Sequence, residues 1–337
     1  MINSKILAVS TYFPINETPV AQIESRILKE SSYSKVPVRA IESLTGVQRV
    51  FHRSPGENAS DLASKAAERA LQASNLDVNE IDLLIFASAS QDLIEPATSH
   101  IISNNLGTTC PVFDVKNACN SFLNGLQVAN SFIKSEIYKT ILIVTGETPS
   151  TGIRWNCKTK ADFVTSFPGY SMSDSGGAVI LRAEESDTPT GILNINMSAN
   201  SDMWRIGTLG TGGSRSPRDI ETTYFNMDGA ALFEAFKTVG VEMLHDQINA
   251  GAINWDDYAA IGMHQVAELY NEMLIETLNL PAHKTIETIT KYGNLASNSF
   301  PFQLETAISE GRVREGDKFA FIGLGGGIST GFGGFQL

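Results

Sequence analysis

Residues 112–133 read VFDVKNACNSFLNGLQVANSFI. The opening VFDV is a short apolar run of the kind that forms a buried strand. Beyond it, Phe122, Leu126, Ala129 and Ile133 recur at helical spacing, so a helix with one buried face follows. Cys119 falls between the two, at a strand-to-helix turn. Unpaired amides and the positive end of the helix dipole favour a thiolate there, and the thiolate is the reactive form of cysteine. An ordinary free cysteine is more often an inert buried thiol. Cys110 and Cys157 lack the turn setting and are read that way.

The pattern around Cys119 occurs twice. In the first half IDLLIFAS (81–88) precedes KNACNSFLNGLQVANSFI (116–133), and KTILIVTGE (139–147) follows it. In the second half the order is YAAIGMHQ (258–265), KYGNLASNSFPFQLETAI (291–308) and KFAFIGLGGG (318–327). The tripeptide Asn-Ser-Phe stands at 120–122 and again at 298–300, between matching elements. A duplicated α/β fold brings equivalent loops together at a pseudo-two-fold axis, and the halves are placed at 1–175 and 176–337. Strands are predicted over 82–88, 111–115, 140–145, 177–181, 258–262, 285–288 and 318–323, with a helix over 61–74 that buries Leu62, Ala66, Ala70 and Ala73. Alternation of short β-branched runs with longer amphipathic stretches marks a layered α/β protein.

Three further features lie where strands end, which is where open α/β folds build their crevices. His264 closes the run AAIGMH, Asn294 sits in a glycine-containing turn before a helix, and Gly323, Gly325, Gly326 and Gly327 follow the last predicted strand. Singly, the histidine reads as a hydrogen-bonded structural residue and the asparagine as a turn residue. The glycines do not match a Walker or dinucleotide fingerprint. They suit a backbone that approaches a ligand and offers an amide to an oxyanion.

Bulk properties exclude several classes. A net charge of −12 and a pI near 4.9 argue against nucleic-acid binding, which needs clustered Lys and Arg. No apolar run is long enough to cross a membrane and the first residues do not read as a signal peptide, so a cytoplasmic protein is expected. Three cysteines without CxxC spacing support neither a disulfide framework nor a metal site.

Taken together, DVKNACNSF, IGMHQ, KYGNLASNSFP and GLGGG stand in the order found in the ketoacyl synthase III group of the thiolase superfamily, which this chain resembles over nearly its whole length. The 30-residue separation of His264 and Asn294 is similar to that of the group, and SLTGVQR (43–49), SMSDSGGAVIL (171–181) and NMDGAALFEAF (226–236) support the match. The resemblance implies a thiolase-like five-layer αβαβα fold with two duplicated halves, a homodimer, and acyl transfer from a CoA or carrier-protein thioester onto Cys119 without a cofactor. It implies an oxyanion hole made by the backbone amides of Cys119 and Gly327. His264 and Asn294 would hydrogen-bond the thioester carbonyl of the second substrate.

Departures from the group's pattern refine this. Ala40 and Leu44 stand where fatty-acid-initiating members hold the CoA nucleotide with Trp and Arg, and Leu269 replaces an expected Arg. Glu95, in SQDLIEPATSH (90–100), occupies the position of an aromatic residue that reaches across the dimer. It resembles the branch that joins two acyl chains in olefin and α-pyrone synthesis, where a glutamate of the partner subunit acts as base. The first reading is therefore a Claisen condensation of an acyl and a β-ketoacyl thioester, and its alternative is a decarboxylating ketoacyl synthase III using a malonyl carrier protein. An O- or N-acyltransferase and a silent partner subunit rank below these. Arg154, Lys158 and Lys160 form the best local basic cluster for a carrier protein.

Overall fold

The computed structural model describes residues 1–33, 35, 37 and 39–337. Its main sheet contains β1 (Ile2–Tyr12), β2 (Leu83–Ala87), β3 (Val112–Val115), β4 (Thr140–Glu147), β5 (Ser175–Glu185), β6 (Gly191–Ala199), β7 (Ala260–Met263), β8 (Lys318–Gly325) and β9 (Ser329–Gln336). Their order is β7-β8-β9-β6-β1-β5-β4-β2-β3.

That order is a pattern written twice. β1 pairs antiparallel with β5, β5 antiparallel with β4, and β4 parallel with β2. Likewise β6 pairs antiparallel with β9, β9 antiparallel with β8, and β8 parallel with β7. Among the described residues the ladders of the two halves meet at one pair, Ser4 with Gly191. By these pairings β5 (Ser175–Glu185) goes with the first set and β6 (Gly191–Ala199) with the second.

Side-chain alternation along the strands sorts the layers, since successive residues of a strand face opposite sides of the sheet. Leu83, Ile85, Ile141 and Ile143 from the first half and Ala260, Phe319, Phe321 and Phe335 from the second enclose α2 (Ser121–Lys134) and α3 (Ser299–Ser309) in one core. The intervening residues Leu84, Phe86, Leu142 and Val144 face α1 (Ala59–Ser74) through Ala63, Ala66, Ala67 and Ala70. On the far side Ile261, Met263, Ala320 and Ile322 pack against Leu232, Phe236, Leu244 and Leu274. Helices, sheet, helices, sheet and helices follow in turn, which is the expected five-layer αβαβα arrangement.

Two details depart from the sequence expectations. The strand predicted over 285–288 is reduced to an isolated bridge between Ile261 and Thr285. Ile286 N–H still donates to Ile261 O at 3.0 Å, and beyond it one side chain takes over: Gln265 Oε1 accepts from the amides of Thr288 and Ile289, at 2.9 Å each, and Gln265 Nε2 donates to Ile286 O. Conversely β1, β6 and β9 were not expected. β9 reads STGFGGFQ, a turn-like composition, yet its glycines are packing residues. A Cβ on Gly331 would meet Leu123 Cδ2 of α2 at 2.5 Å, so the bare backbone lets the central helix approach.

Candidate active site

Both central helices are entered through the same unusual turn. Ala118 and Ala296 take left-handed φ values of 46° and 49°, and Asn-Ser-Phe follows each. A non-glycine residue there costs on the order of 1 kcal/mol and persists only where its surroundings fix it. In the first half the turn is fixed by Ser121, whose Oγ accepts from Asn117 N–H at 2.8 Å and donates to Ala118 O at 2.6 Å. Asn120 then reaches into the other half, donating to Ser329 O at 3.0 Å and Ser329 Oγ at 2.9 Å. Gly323 must lack a side chain, since a Cβ would lie 2.2 Å from Asn120 Oδ1. Cys119 is thereby pinned at the junction of the two halves.

Cys119, His264 and Asn294 line one cavity of about 380 Å³, with Gly326 beside them. The three residues that sequence reading singled out from distant segments are thus brought together. Gly327 takes a φ of +119°, which favours glycine, and the turn it centres runs past Ala118, whose Cβ is 3.9 Å from where a Gly326 Cβ would be.

Asn294 is held by both ends of its backbone, its N–H donating to Ser171 O and its carbonyl accepting from Ser173 N–H, each at 2.9 Å. Its Oδ1 accepts from Ala296 N–H at 2.9 Å, so the side-chain NH2 is the group left to donate into the cavity. His264 is buried, and its Nδ1 lies 3.0 Å from Ser299 Oγ, leaving Nε2 as the free ring nitrogen. Burial pushes the imidazole down to about 4, opposed by a backbone hydrogen bond to Ala296, so the ring is neutral at neutral pH. Ser299 carried no sequence signal; its hydroxyl acquires meaning only through proximity to a histidine 35 residues away.

Cys119 behaves differently from the expected helix-terminal thiolate. Burial pushes its thiol up to about 12, the nearby Glu147 carboxylate adds to the push, and a backbone amide opposes it. Burial thus favours the thiol and acts against the thiolate that the helix terminus favours. Iodoacetamide labelling of Cys119 should therefore be slow at pH 7 and climb without a plateau to pH 10, followed by intact mass. A plateau with a midpoint below about 8.5, the ordinary thiol value, would show that the helix terminus dominates.

Glu95 is exposed and is not among the residues lining the cavity, whereas Gln91, Asp92, Leu93 and Ile94 immediately before it are. A single chain does not bring Glu95 to Cys119. Lys116 lines the cavity and donates to Gln91 Oε1 at 2.9 Å. Glu147, which sequence reading passed over, is buried and lines the cavity as well. A carboxylate closing the otherwise apolar strand TILIVTGE was the available sign. In the expected basic cluster Arg154 is already engaged, with Glu221 at 2.8 Å and over the ring of Tyr224. Ala40 is buried, and Leu44 and Leu269 are exposed apolar residues.

Comparison with known proteins places this geometry. The family models described as 3-oxoacyl-[acyl-carrier-protein (ACP)] synthase III and its C-terminal part match residues 113–201 and 248–335. A β-ketoacyl-[acyl-carrier-protein] synthase III of Neisseria meningitidis is 31% identical, with 97% of each chain covered. The chain belongs to the ketoacyl synthase III family. A relative of the same name from Clostridium perfringens is 29% identical over 98% of each chain. Among solved structures, 3-oxoacyl-[acyl-carrier-protein] synthase III from Aquifex aeolicus VF5 superposes with a TM-score of 0.83 at 25% identity, covering 99% of this chain and 100% of the other. Cerulenin-bound OleA of Xanthomonas campestris gives 0.87 at 21% identity, covering 98% and 96%, a likeness of fold. As a member of the ketoacyl synthase III family the chain is an acyl-transferring condensing enzyme of thiolase-like fold. No helix among the described residues is long and apolar enough to cross a membrane.

Proposed function

We propose that the chain is a decarboxylating ketoacyl synthase that extends an acyl group held on Cys119 with a malonyl carrier-protein thioester. The observation that carries this is the convergence of Cys119, His264 and the outward-facing amide of Asn294 on one cavity. The names of the curated relatives favour this reading over the joining of two non-decarboxylating thioesters, which the departures at Ala40, Leu44, Leu269 and Glu95 had placed first.

Cys119 Sγ attacks the donor thioester carbonyl, the new C–S bond replaces the old one, and the donor thiol leaves with the cysteine proton. The backbone amides of Cys119 and Gly327 hold the oxyanion. The malonyl thioester then loses CO2, and its carbonyl becomes an enolate that accepts from Asn294 Nδ2 and His264 Nε2. Ser299 Oγ, 3.0 Å from Nδ1, donates to Ala296 O at 2.9 Å in the resting site; in this step its hydroxyl turns to donate to Nδ1, which keeps the ring proton on Nε2. The α-carbon attacks the acyl-Cys carbonyl, a C–C bond forms, and the Cys119 thiolate departs. A CoA thioester can serve the first step in place of a carrier-protein thioester.

A second reading keeps the dimer and the glutamate. Glu95 projects from the end of the segment that lines the cavity, exposed beside Leu93 and Ile94, a position from which it could serve the site of a partner copy. There it would take the α-proton of a second acyl thioester, which has no carboxylate to lose. One experiment separates the two. Under the first reading, malonyl thioester labelled in its free carboxyl releases CO2 in step with product, and Glu95→Gln leaves the rate unchanged. Product formation from two acyl thioesters without CO2, falling on the order of 10²-fold in Glu95→Gln, would transfer the assignment to the second.

A further inference from the structure

Glu147 is a buried carboxylate in the catalytic cavity that neither reading employs. Its Oε1 accepts from Ala89 N–H at 2.9 Å and from Ser297 Oγ, with Thr145 Oγ1 at 3.4 Å. Its Oε2 accepts from Ser90 N–H at 3.2 Å and Ser90 Oγ at 3.0 Å. Ser90 Oγ in turn accepts from Thr148 N–H at 2.9 Å, closing the ring of contacts. All of Glu147's partners are donors, the environment an ionised carboxylate takes.

The segments it joins matter more than the number of bonds. Ala89 and Ser90 open the segment that runs through the cavity-lining Gln91–Ile94 to Glu95. Ser297 belongs to the turn that presents Asn294, and it is the counterpart in the duplicated half of Cys119 itself, one residue after the left-handed alanine. A hydroxyl thus stands where the first half has its nucleophile, and it is spent on a carboxylate from the opposite half. Charged and titratable neighbours around the same wall are Lys116, Asp92, His264 and Cys119. Asp92 is occupied by Ser60 N–H at 3.2 Å and Lys116 by Gln91, so neither competes for the Glu147 carboxylate.

We propose that Glu147 is a positioning residue for carbon–carbon bond formation, holding the Asn294 turn and the 89–95 segment in a fixed relation across the boundary between the halves. Charge-assisted bonds to fixed donors are suited to this, being short, strong and directional, and small displacements of a catalytic group are costly in rate. The proposal rests on the condensing function and deepens it. It also separates the half-reactions: under the condensing function Asn294 serves the second thioester and not the acylation of Cys119, so a displaced Asn294 turn weighs most on condensation.

The test compares wild type with Glu147→Gln and Ser297→Ala by single-turnover acylation, product formation and thiol alkylation. Glutamine keeps the size but brings an NH2 against donors, so condensation should fall on the order of 10²-fold, while acylation of Cys119 from an acyl thioester falls less than about threefold. Loss of the nearby charge should also move the pH dependence of Cys119 alkylation to lower pH, a displacement of the profile that greater access alone, which speeds labelling at every pH alike, does not produce. Ser297→Ala, the milder lesion, should lower condensation without displacing that profile, and it serves if the glutamine variant does not fold. Unchanged condensation in both variants, or acylation and condensation falling together in both, overturns the proposal. A wild type that fails to acylate or to condense overturns the condensing function instead.

Discussion

Asn294→Ala is expected to lower condensation by roughly 10²–10³-fold, the loss seen when one preorganised oxyanion donor is removed, while Cys119 still takes up its acyl group. The asymmetry follows from the wiring of the side chain. Ala296 N–H occupies Oδ1 and leaves the NH2 to donate, and under the proposed condensation the charge it meets develops only on the second substrate. Asn294→Asp should be at least as damaging, because it places a carboxylate where an enolate has to form. Intact mass of Cys119 after one turnover and product mass over many turnovers measure the two steps. Parallel loss of both would show that Asn294 acts through the fold instead of on the enolate.

Phe300→Ala should cost about 3–5 kcal/mol of stability, the range for removing a large side chain from a close-packed core. Phe300 stacks on Phe122 of the opposite half at 5.8 Å between centroids and meets Phe321 at 5.2 Å and Phe335 at 4.8 Å. It is almost fully buried, and the cavity left by truncation is walled by helices and sheets that cannot close in together. A urea titration reports the loss as a lower midpoint at unchanged slope. A cost below about 1 kcal/mol would mean that the middle layer repacks freely.

The legible part of this protein was what is local in the chain. Cys119, His264 and Asn294 each lie at the end of a strand or in the turn before a helix, and recurrence of Asn-Ser-Phe gave the duplication. What escaped depends on meetings across the fold. Glu147 and Ser297 are 150 residues apart, and no periodicity links them. Ser299 likewise needs His264 to be noticed. β9 was missed because its glycines suggest turns, although they are there to admit Leu123. The segment 285–288 looked like a strand by composition, but after the one bond from Ile286 to Ile261 the amide of Gln265 takes the place of a neighbouring strand. The setting of Cys119 was legible only in part for a related reason: the helix terminus is visible in sequence, whereas the burial that acts against a thiolate is not.

The single pair Ser4–Gly191 that joins the two ladders has a consequence for how the molecule can come apart. Beyond it the backbone bonds between the halves are loop contacts, such as Asn294 with Ser171 and Ser173 and Gln48 with Thr290, and each half relies on the other as its solvent. Phe122, Leu126 and Ile133 from one and Phe300, Leu304 and Ala307 from the other are kept from water in a shared interior. A polypeptide ending near residue 185 would present an aromatic and aliphatic face with nothing to cover it. Such a fragment should be sticky and poorly folded, and the intact chain should lose both halves in one cooperative event, although its sheet order alone would suggest two independent units.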